Sequence, residues 1–409
     1  MKTMVTPDEA LSIILEQVVS LPPEDSPHEI SLGRTLANDV VADIDLPPFD
    51  NSAMDGYAVI AADLQHASAG APVALPCLEI IGAGQVPQTS ISSGQCTKIM
   101  TGAPLPAGAD AVVMREETSE VASGVEFTVA PQVGQNIRLA GSDVAQGKVV
   151  LLQGTQINAA QWAMLASLGR AQVSVTTRPR VGIISTGAEL VAIDAPLLPG
   201  QIRDSNSYAL RALVESCGAE VTAVRHSGDS LAEFEAVLQE VAGACDLVIT
   251  SGGVSAGDFD PVRDVLREKA EVFFWKIAMK PGKPVMFANF EGTLVFGLPG
   301  NPASVMVAFE EFTRPALLKM GGRRALQRVE VPAKVKTGLT SPANRVEYLR
   351  AVLRLENGGW VASIDNDQGS GRLSTFTRAN ALLVVPAETT KVEAGEILTA
   401  RLIDCPEID

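Results

Sequence analysis

The residues best equipped for chemistry in this chain are carboxylates and lysines set beside glycine-rich turns. Residues 246–260 read D-L-V-I-T-S-G-G-V-S-A-G-D-F-D. The apolar run at 247–250 predicts a buried strand. Ser251, Gly252 and Gly253 then let the backbone turn and bring N–H groups close to a ligand. Asp258 and Asp260 follow, and Pro261 opens a helical pattern through Val262, Val265 and Leu266. A strand, a glycine-rich turn, carboxylates and a helix start make a candidate anion-and-metal site. Ser255 lies in G-V-S-A-G, the pattern of a hydrolase nucleophile elbow. That chemistry expects a histidine downstream, and His28, His66 and His226 all precede it. No G-x-x-x-x-G-K-[ST] phosphate loop is present.

Two further carboxylates share that setting. Glu189 follows a predicted strand at 181–185, and Asp229 follows one at 220–224. Ligands of open α/β sheets bind outside the carboxyl ends of the strands. Glu189, Asp229 and Asp258 or Asp260 therefore fall on one rim with L-P-G-N-P, which contributes Pro299, Asn301 and Pro302. Asn301 is the expected N-cap of a long helix whose first residue is Pro302. Each carboxylate alone reads as a loop cap or a solvated charge; the shared rim favours a site. Opposite charge comes from Lys276, Lys280 and Lys283 in K-I-A-M-K-P-G-K-P. Period two along a strand puts Lys276 and Lys280 on one face, the bland alternative being an edge strand guarded by lysine. Three histidines and no cysteine cluster leave oxygen ligands, so Glu189, Asp229 and Asp260 are the expected metal ligands and Mg²⁺ the expected metal. Carboxylates for a divalent cation beside lysines for phosphate suit phosphoanhydride chemistry.

The elements that must position these groups form an ordered series. Pro7 begins an amphipathic helix through Leu11, Ile14, Leu15 and Val18. P-P-F-D-N-S-A-M-D-G-Y-A-V, at 47–59, is an ordered loop that carries Asp55 into a strand. From about 63 to 141, short apolar runs broken by glycine and proline predict a small β domain. Within it, M-T-G-A-P places the Thr101 hydroxyl beside backbone donors, and N-I-R with G-S-D closes the segment with Arg138 and Asp143. A helix is expected over 157–168. After a linker at 176–180, strand and helix patterns alternate, which predicts an open, mostly parallel sheet covered on both faces. From Arg328 onward, strand-like runs predict a C-terminal β domain with Arg345, Arg350, Ser370 and Arg372 as candidate anion contacts. The expected fold is thus α/β plus β and multidomain. It comprises a discontinuous helical N-terminal domain (1–45 and 142–176), a β insertion domain (46–141), a three-layer α/β domain (177–325) and a C-terminal β domain (326–409).

Composition bounds the partners. The 48 acidic residues against 32 basic give a net charge of −16, which disfavours nonspecific binding to nucleic acid or anionic membranes. A small anionic substrate must then find its positive charge locally. Five scattered cysteines without a C-x-x-C point to a reduced, cytoplasmic protein. Neither a membrane-length apolar stretch nor a signal-peptide pattern is visible.

Eight segments occur in a telling order: P-P-F-D-N-S-A-M-D-G-Y-A-V, I-M-T-G-A-P, N-I-R with G-S-D, S-T-G-A-E-L, I-R-D-S-N, S-G-G-V-S-A-G-D-F-D, K-P-G-K-P and L-P-G-N-P-A-S. Together they closely resemble the molybdopterin molybdenumtransferases, the MoeA family, which is similar to the E domain of gephyrin. The resemblance covers nearly the whole chain, through the C-terminal G-S-G-R-L. It implies Mg²⁺-assisted insertion of molybdate into adenylylated molybdopterin, with release of AMP. It also implies an elongated homodimer of four-domain subunits, in which the β insertion of one subunit faces the α/β and C-terminal domains of the other. Asp55, Thr101, Arg138, Asp143, Glu189, Asp229, Asp260, Lys276, Lys280 and Ser370 match the family's functional positions. Nothing resembles a fused adenylyltransferase domain, so a separate molybdopterin adenylyltransferase is expected upstream. Two other readings stay open. One is a nucleotide-pyrophosphate hydrolase with a related α/β domain, against which D-N-S-A-M-D-G speaks. The other is a gephyrin-like non-enzymatic scaffold, against which the retained carboxylates and lysines weigh.

Overall fold

The apolar runs beyond residue 180 form the centre of a seven-stranded sheet. Its order in space is Lys2–Val5, Glu271–Ile277, Met286–Phe290, Thr293–Leu298, Leu247–Ser251, Arg180–Thr186 and Glu220–Ser227. The last four strands are parallel; Met286–Phe290 runs antiparallel between Thr293–Leu298 and Glu271–Ile277. This computed structural model describes residues 1–255, 260–365 and 367–405, so Asp258 lies outside the described residues. Side chains alternate as a pleat requires. Ile183 and Ile249 enter a core shared with Leu210, Val214 and Val305. Their neighbours Ile184 and Val248 enter the opposite one, with Phe234, Leu238 and Leu266. Helices therefore cover both faces: Asn206–Ser216 and the 302–320 helical run on one, Leu231–Ala242 and Pro261–Lys269 on the other. The long helix expected after Asn301 is present but not uniform. Pro302–Ala308 passes through a π-helical turn, Phe309–Thr313, into Arg314–Met320.

The chain divides into two units: Met1–Ala37 with Gly154–Asn158 and Val173–Asp409, and Asn38–Gln153 with Ala159–Gln172. Lys2–Val5 is an edge strand of the large sheet, in parallel register with Glu271–Ile277. The helix Pro7–Gln17 follows at once and buries Ala10 and Ile14 in the core of the same sheet. The apolar stripe of this helix needs a large core to cover it. Its start is fixed by a capping box: Thr6 N–H donates to Glu9 Oε2 at 2.8 Å, and Glu9 N–H donates to Thr6 Oγ1 at 3.2 Å.

In the same unit, Glu330–Val335, Val346–Glu356, Gly359–Ile364, Ala381–Val385 and Ile397–Leu402 close into a β barrel. Closure comes from the long strand Val346–Glu356, which pairs with Gly359–Ile364 through its second half and with Ala381–Val385 through its first. The other unit contains the expected β insertion. A four-stranded sheet (Cys77–Ile81, Cys96–Ile99, Gly56–Val59, Ala111–Met114) and a three-stranded one (Thr118–Val121, Gly124–Phe127, Val73–Leu75) enclose Tyr57, Leu75, Val113 and Phe127.

Candidate functional site

The motif segments of the insertion unit are knitted into one loop cluster. Arg138 pairs with Asn51 across a short antiparallel ladder, Ser52 N–H donates to Ala103 O at 3.1 Å, and Asp143 N–H donates to Leu46 O at 3.0 Å. Asp55 sits at the exposed end of this cluster. Its Oδ1 accepts 2.8 Å hydrogen bonds from both the N–H and the hydroxyl of Thr101. The Thr101 N–H first, and its hydroxyl second, hold the Asp55 carboxyl below its ordinary value. Gly56 must follow, because a Cβ there would stand 2.0 Å from the Val113 carbonyl oxygen. The structure thus brings Asp55 to Thr101, while Arg138 and Asp143 are exposed on the same cluster.

On the α/β sheet the predicted rim is built around backbone. Gly252, at φ +100°, lies so close to the neighbouring strand end that a Cβ would meet Thr186 Oγ1 at 2.6 Å. Gly252 N–H donates to Leu298 O, and Gly253 O accepts from the Arg263 N–H, each at 3.0 Å. The side chain that ties the rim together is Asn206. Its Nδ2 donates to Ser251 Oγ and to Gly300 O, both at 2.8 Å. Sequence reasoning did not give Asn206 a role, although it stands in the quoted I-R-D-S-N. Asp204 caps that helix start, accepting from Ser207 N–H at 3.1 Å and Ser207 Oγ at 2.5 Å. Pro299 is buried at the end of Thr293–Leu298, and Pro302 opens its helix as expected. Asn301 occupies the N-cap position without a side-chain cap bond; its Nδ2 instead donates to Ser370 Oγ at 3.1 Å.

Asn301 also borders a cleft of about 720 Å³, walled by Lys280, Lys283, Arg345, Ser370 and Gly369. This gathers Lys280, Asn301 and Ser370 with Lys283 and Arg345, two cations the sequence also offered. Lys280 is not free: its Nζ stands 2.7 Å from Glu347 Oε1, and the buried Glu347 also accepts from Ser341 Oγ at 2.6 Å. Arg372 pairs with Asp367 at 2.5 Å.

Three expectations are corrected. Lys276 and Lys280 do not share a strand face. Lys276 has φ +73°, which breaks the pleat, and Met279–Lys280 leaves the sheet to pair with Val346–Glu356. The Lys276 ammonium rests over the Trp275 ring at 3.8 Å, and Trp275 Nε1 donates to Val254 O at 3.0 Å. Arg350 is not an open anion contact. It is 2% exposed, and its guanidinium donates to Thr375 Oγ1 and Gly369 O, both at 3.1 Å. Burial first lowers its pKa, and its role here is to hold the 368–375 loop. Finally, Glu189, Asp229 and Asp260 do not form a ready-made metal cage. Among the described residues no group of three His, Cys, Asp or Glu side chains could hold a metal ion. The strands that precede Asp229 and Asp260 are two places apart in the sheet, roughly 10 Å at ordinary strand spacing. Asp260 is buried with Arg263 Nη1 at 3.6 Å from its carboxylate, while Glu189 and Asp229 are exposed. Ser255 is exposed, and its carbonyl accepts from Arg263 at 3.2 Å.

The same order of domains recurs in known proteins. Residues 5–169 match the MoeA N-terminal region (domain I and II), 182–319 a probable molybdopterin binding domain, and 332–402 the MoeA C-terminal region (domain IV). Molybdopterin molybdenumtransferase of Haemophilus influenzae is 38% identical over 406 residues, covering 97% of this chain and 98% of its own. The chain belongs to the MoeA family. Molybdopterin molybdenumtransferase 2 of Mycobacterium tuberculosis is 39% identical over 389 residues, covering 94% of this chain and 96% of its own. The crystal structure of the molybdopterin biosynthesis moeA protein of Pyrococcus horikoshii OT3 superposes with a TM-score of 0.84 at 32% identity, covering 98% of this chain and 100% of that one. Neither the hydrolase nor the scaffold reading is favoured by these matches. Among the described residues no helix of this MoeA chain is long and apolar enough to cross a membrane.

Proposed function

We propose that this chain inserts molybdate into adenylylated molybdopterin and releases AMP, completing a molybdenum cofactor in the cytoplasm. The observation that carries the reading is the cleft that sets Lys280, Lys283 and Arg345 around Asn301 and Ser370 in a chain of net charge −16. Such a concentration of cations and hydrogen-bond donors suits an anionic pterin phosphate and an oxyanion better than a neutral ligand. Cleavage of a phosphoanhydride leaves negative charge on the departing AMP. Fixed donors aimed at that charge lower the barrier without reorganising. In this reading Lys280 balances the phosphate charge, and the Asn301 and Ser370 side chains orient the substrate.

Magnesium is proposed as a companion of the substrate. The hard oxygen donors at the strand ends suit Mg²⁺, but the described side chains supply no closed set of three. An ion that arrives on phosphates needs only one or two carboxylates. The exposed Asp229, with Glu189, is the fitting pair to receive it, and the metal would supply charge neutralisation on the phosphate oxygens.

A homodimer is also proposed, with Asp55, Thr101, Arg138 and Asp143 of one subunit serving the α/β residues of the other. A separate upstream adenylyltransferase would supply the substrate. The deciding assay is release of AMP from adenylylated molybdopterin by the purified protein, with and without molybdate and Mg²⁺. Molybdate-dependent release is expected; its absence with intact, folded protein would overturn the function. Mixing inactive Asp55→Ala and Asp260→Ala chains should restore part of the activity, since a mixed dimer holds one intact site. No recovery in demonstrated mixed dimers would remove the shared-site proposal.

A further inference from the structure

A second basic cavity shares no lining residue with the cleft just described. It encloses about 460 Å³ and is lined by Arg314, Arg323, Arg328, Glu310, Gln156 and Cys217, with Asp404 also in its wall. Glu310 is 6% exposed and takes Arg328 through two contacts, 2.9 and 3.1 Å. The same carboxylate stands 3.8 Å from Arg314, beyond hydrogen-bond range, and Arg314 Nη1 donates to Leu326 O at 3.0 Å. Arg323 donates to the neutral Gln156 Oε1 at 2.6 Å, and no carboxylate pairs with it among the described residues. Three guanidinium groups thus face two carboxylates, of which only Glu310 is engaged with them. Cys217 does not make up the difference, because burial pushes its thiol up to about 11 and it stays neutral.

The crowding has a cost that is visible in the arginines themselves. Burial lowers the pKa of Arg314, and the like charge of Arg328 lowers it further; burial and then Arg314 act the same way on Arg323. Partly buried cations without counter-charge are unfavourable. Proximity to the carboxyl end of the Arg314–Met320 helix accounts for Arg323, whose N–H donates to Leu318 O at 2.8 Å. It does not account for Arg314 at the start of that helix, nor for Arg328 beyond it. Planar guanidinium forks converging on one hollow are suited to an oxyanion with several acceptor oxygens.

We propose that this cavity binds a phosphate-type oxyanion, free or as a terminal phosphate monoester, through Arg314 and Arg323. The proposal stands apart from the insertion chemistry, and its test separates the two. Inorganic phosphate is titrated calorimetrically into wild type, Lys280→Met, Arg323→Gln and Gln156→Glu proteins at fixed ionic strength. Saturable binding is expected to survive in Lys280→Met, where the cleft is impaired. It should weaken tenfold or more in Arg323→Gln. Gln156→Glu serves as the second variant: it keeps every arginine but sets a carboxylate against Arg323, and should weaken phosphate to a similar extent. AMP binding with the same dependence on Arg323 would identify the monoester; binding of phosphate alone would identify the free oxyanion. Equal phosphate affinity in wild type and both cavity variants, or no saturable binding by Lys280→Met, would overturn the assignment.

Discussion

In the insertion unit the Asp55 carboxylate accepts two 2.8 Å hydrogen bonds from Thr101 and is held in place before any ligand arrives. On the α/β rim the order is reversed. There Asn206 holds the Ser251 hydroxyl and the Gly300 carbonyl, and a strand-end hydrogen bond holds Gly252, while Asp229 and Glu189 stand exposed, their side chains unpaired among the described residues. A carboxylate already satisfied by neighbours positions what it touches, whereas an unpaired one keeps its lone pairs for a cation or a proton. Under the proposed function, the difference suits Asp55 to orientation and Asp229 to ligand handling.

The largest expected effect comes from removing the unpaired group. Asp229→Ala should lower Mg²⁺-dependent AMP release by roughly 10²–10³-fold. Because the side chain is exposed, stability should change by no more than about 0.5 kcal/mol. Near-normal turnover with unchanged Mg²⁺ dependence would return Asp229 to the status of a solvated loop residue.

Lys280 tests a charge that is held and ligand-facing together. Lys280→Met should weaken AMP binding about tenfold, or about 1.4 kcal/mol, and flatten its salt dependence. The same change leaves the buried Glu347 without its cation, so part of the damage should appear as lost stability. Lys280→Met combined with Glu347→Gln should recover stability but not affinity. Full recovery of affinity in the double variant would show that Lys280 acts only as a partner for Glu347.

A smaller loss, roughly two- to fivefold in KM, is expected for Asn301→Ala, corresponding to one neutral hydrogen bond of about 0.5–1 kcal/mol. The smallest effect concerns Asp55. Its folded-state pKa is depressed, so its contribution to stability is present above the ordinary carboxylate range and is lost as pH falls through the depressed value. Thr101→Val removes the hydroxyl bond and keeps the backbone one. Carboxyl carbon NMR should show the Asp55 pKa rising toward its ordinary value, and the acid-dependent loss of stability from Asp55 should shrink. An unmoved titration would mean that the backbone N–H alone holds the group.

Much of the fold was legible because short-range pattern and long-range packing agree. The apolar runs that became Arg180–Thr186, Leu247–Ser251 and Thr293–Leu298 are buried on both faces, and such strands are hydrophobic almost throughout. The site was legible where glycine or proline dictated geometry, as at Gly252 and Pro302. It was not legible where a residue departs from its usual behaviour. Lys276 adopts a left-handed conformation without being glycine, so a period-two argument could not foresee its turn onto Trp275. Arg350 has the look of a strand surface residue, but the 368–375 loop returns to bond its guanidinium. The Thr6/Glu9 box was readable in T-P-D-E, but which core the helix would enter depends on a sheet whose other strands begin at residue 180.

The π-helical turn at Phe309–Thr313 has a geometric consequence of its own. An α-helix advances about 100° per residue, so one turn widened by a residue acts as a phase insertion for everything beyond it. Glu310 and Glu311, adjacent in the chain and both buried within this turn, serve different neighbours. Glu310 meets Arg314 and Arg328, whereas Glu311 meets Arg401 on the barrel strand Ile397–Leu402. The helix is thereby keyed to two mates, like a shaft with two offset slots. Deleting a single residue there would close the turn to ordinary α geometry, and one of the two mates would lose its carboxylate.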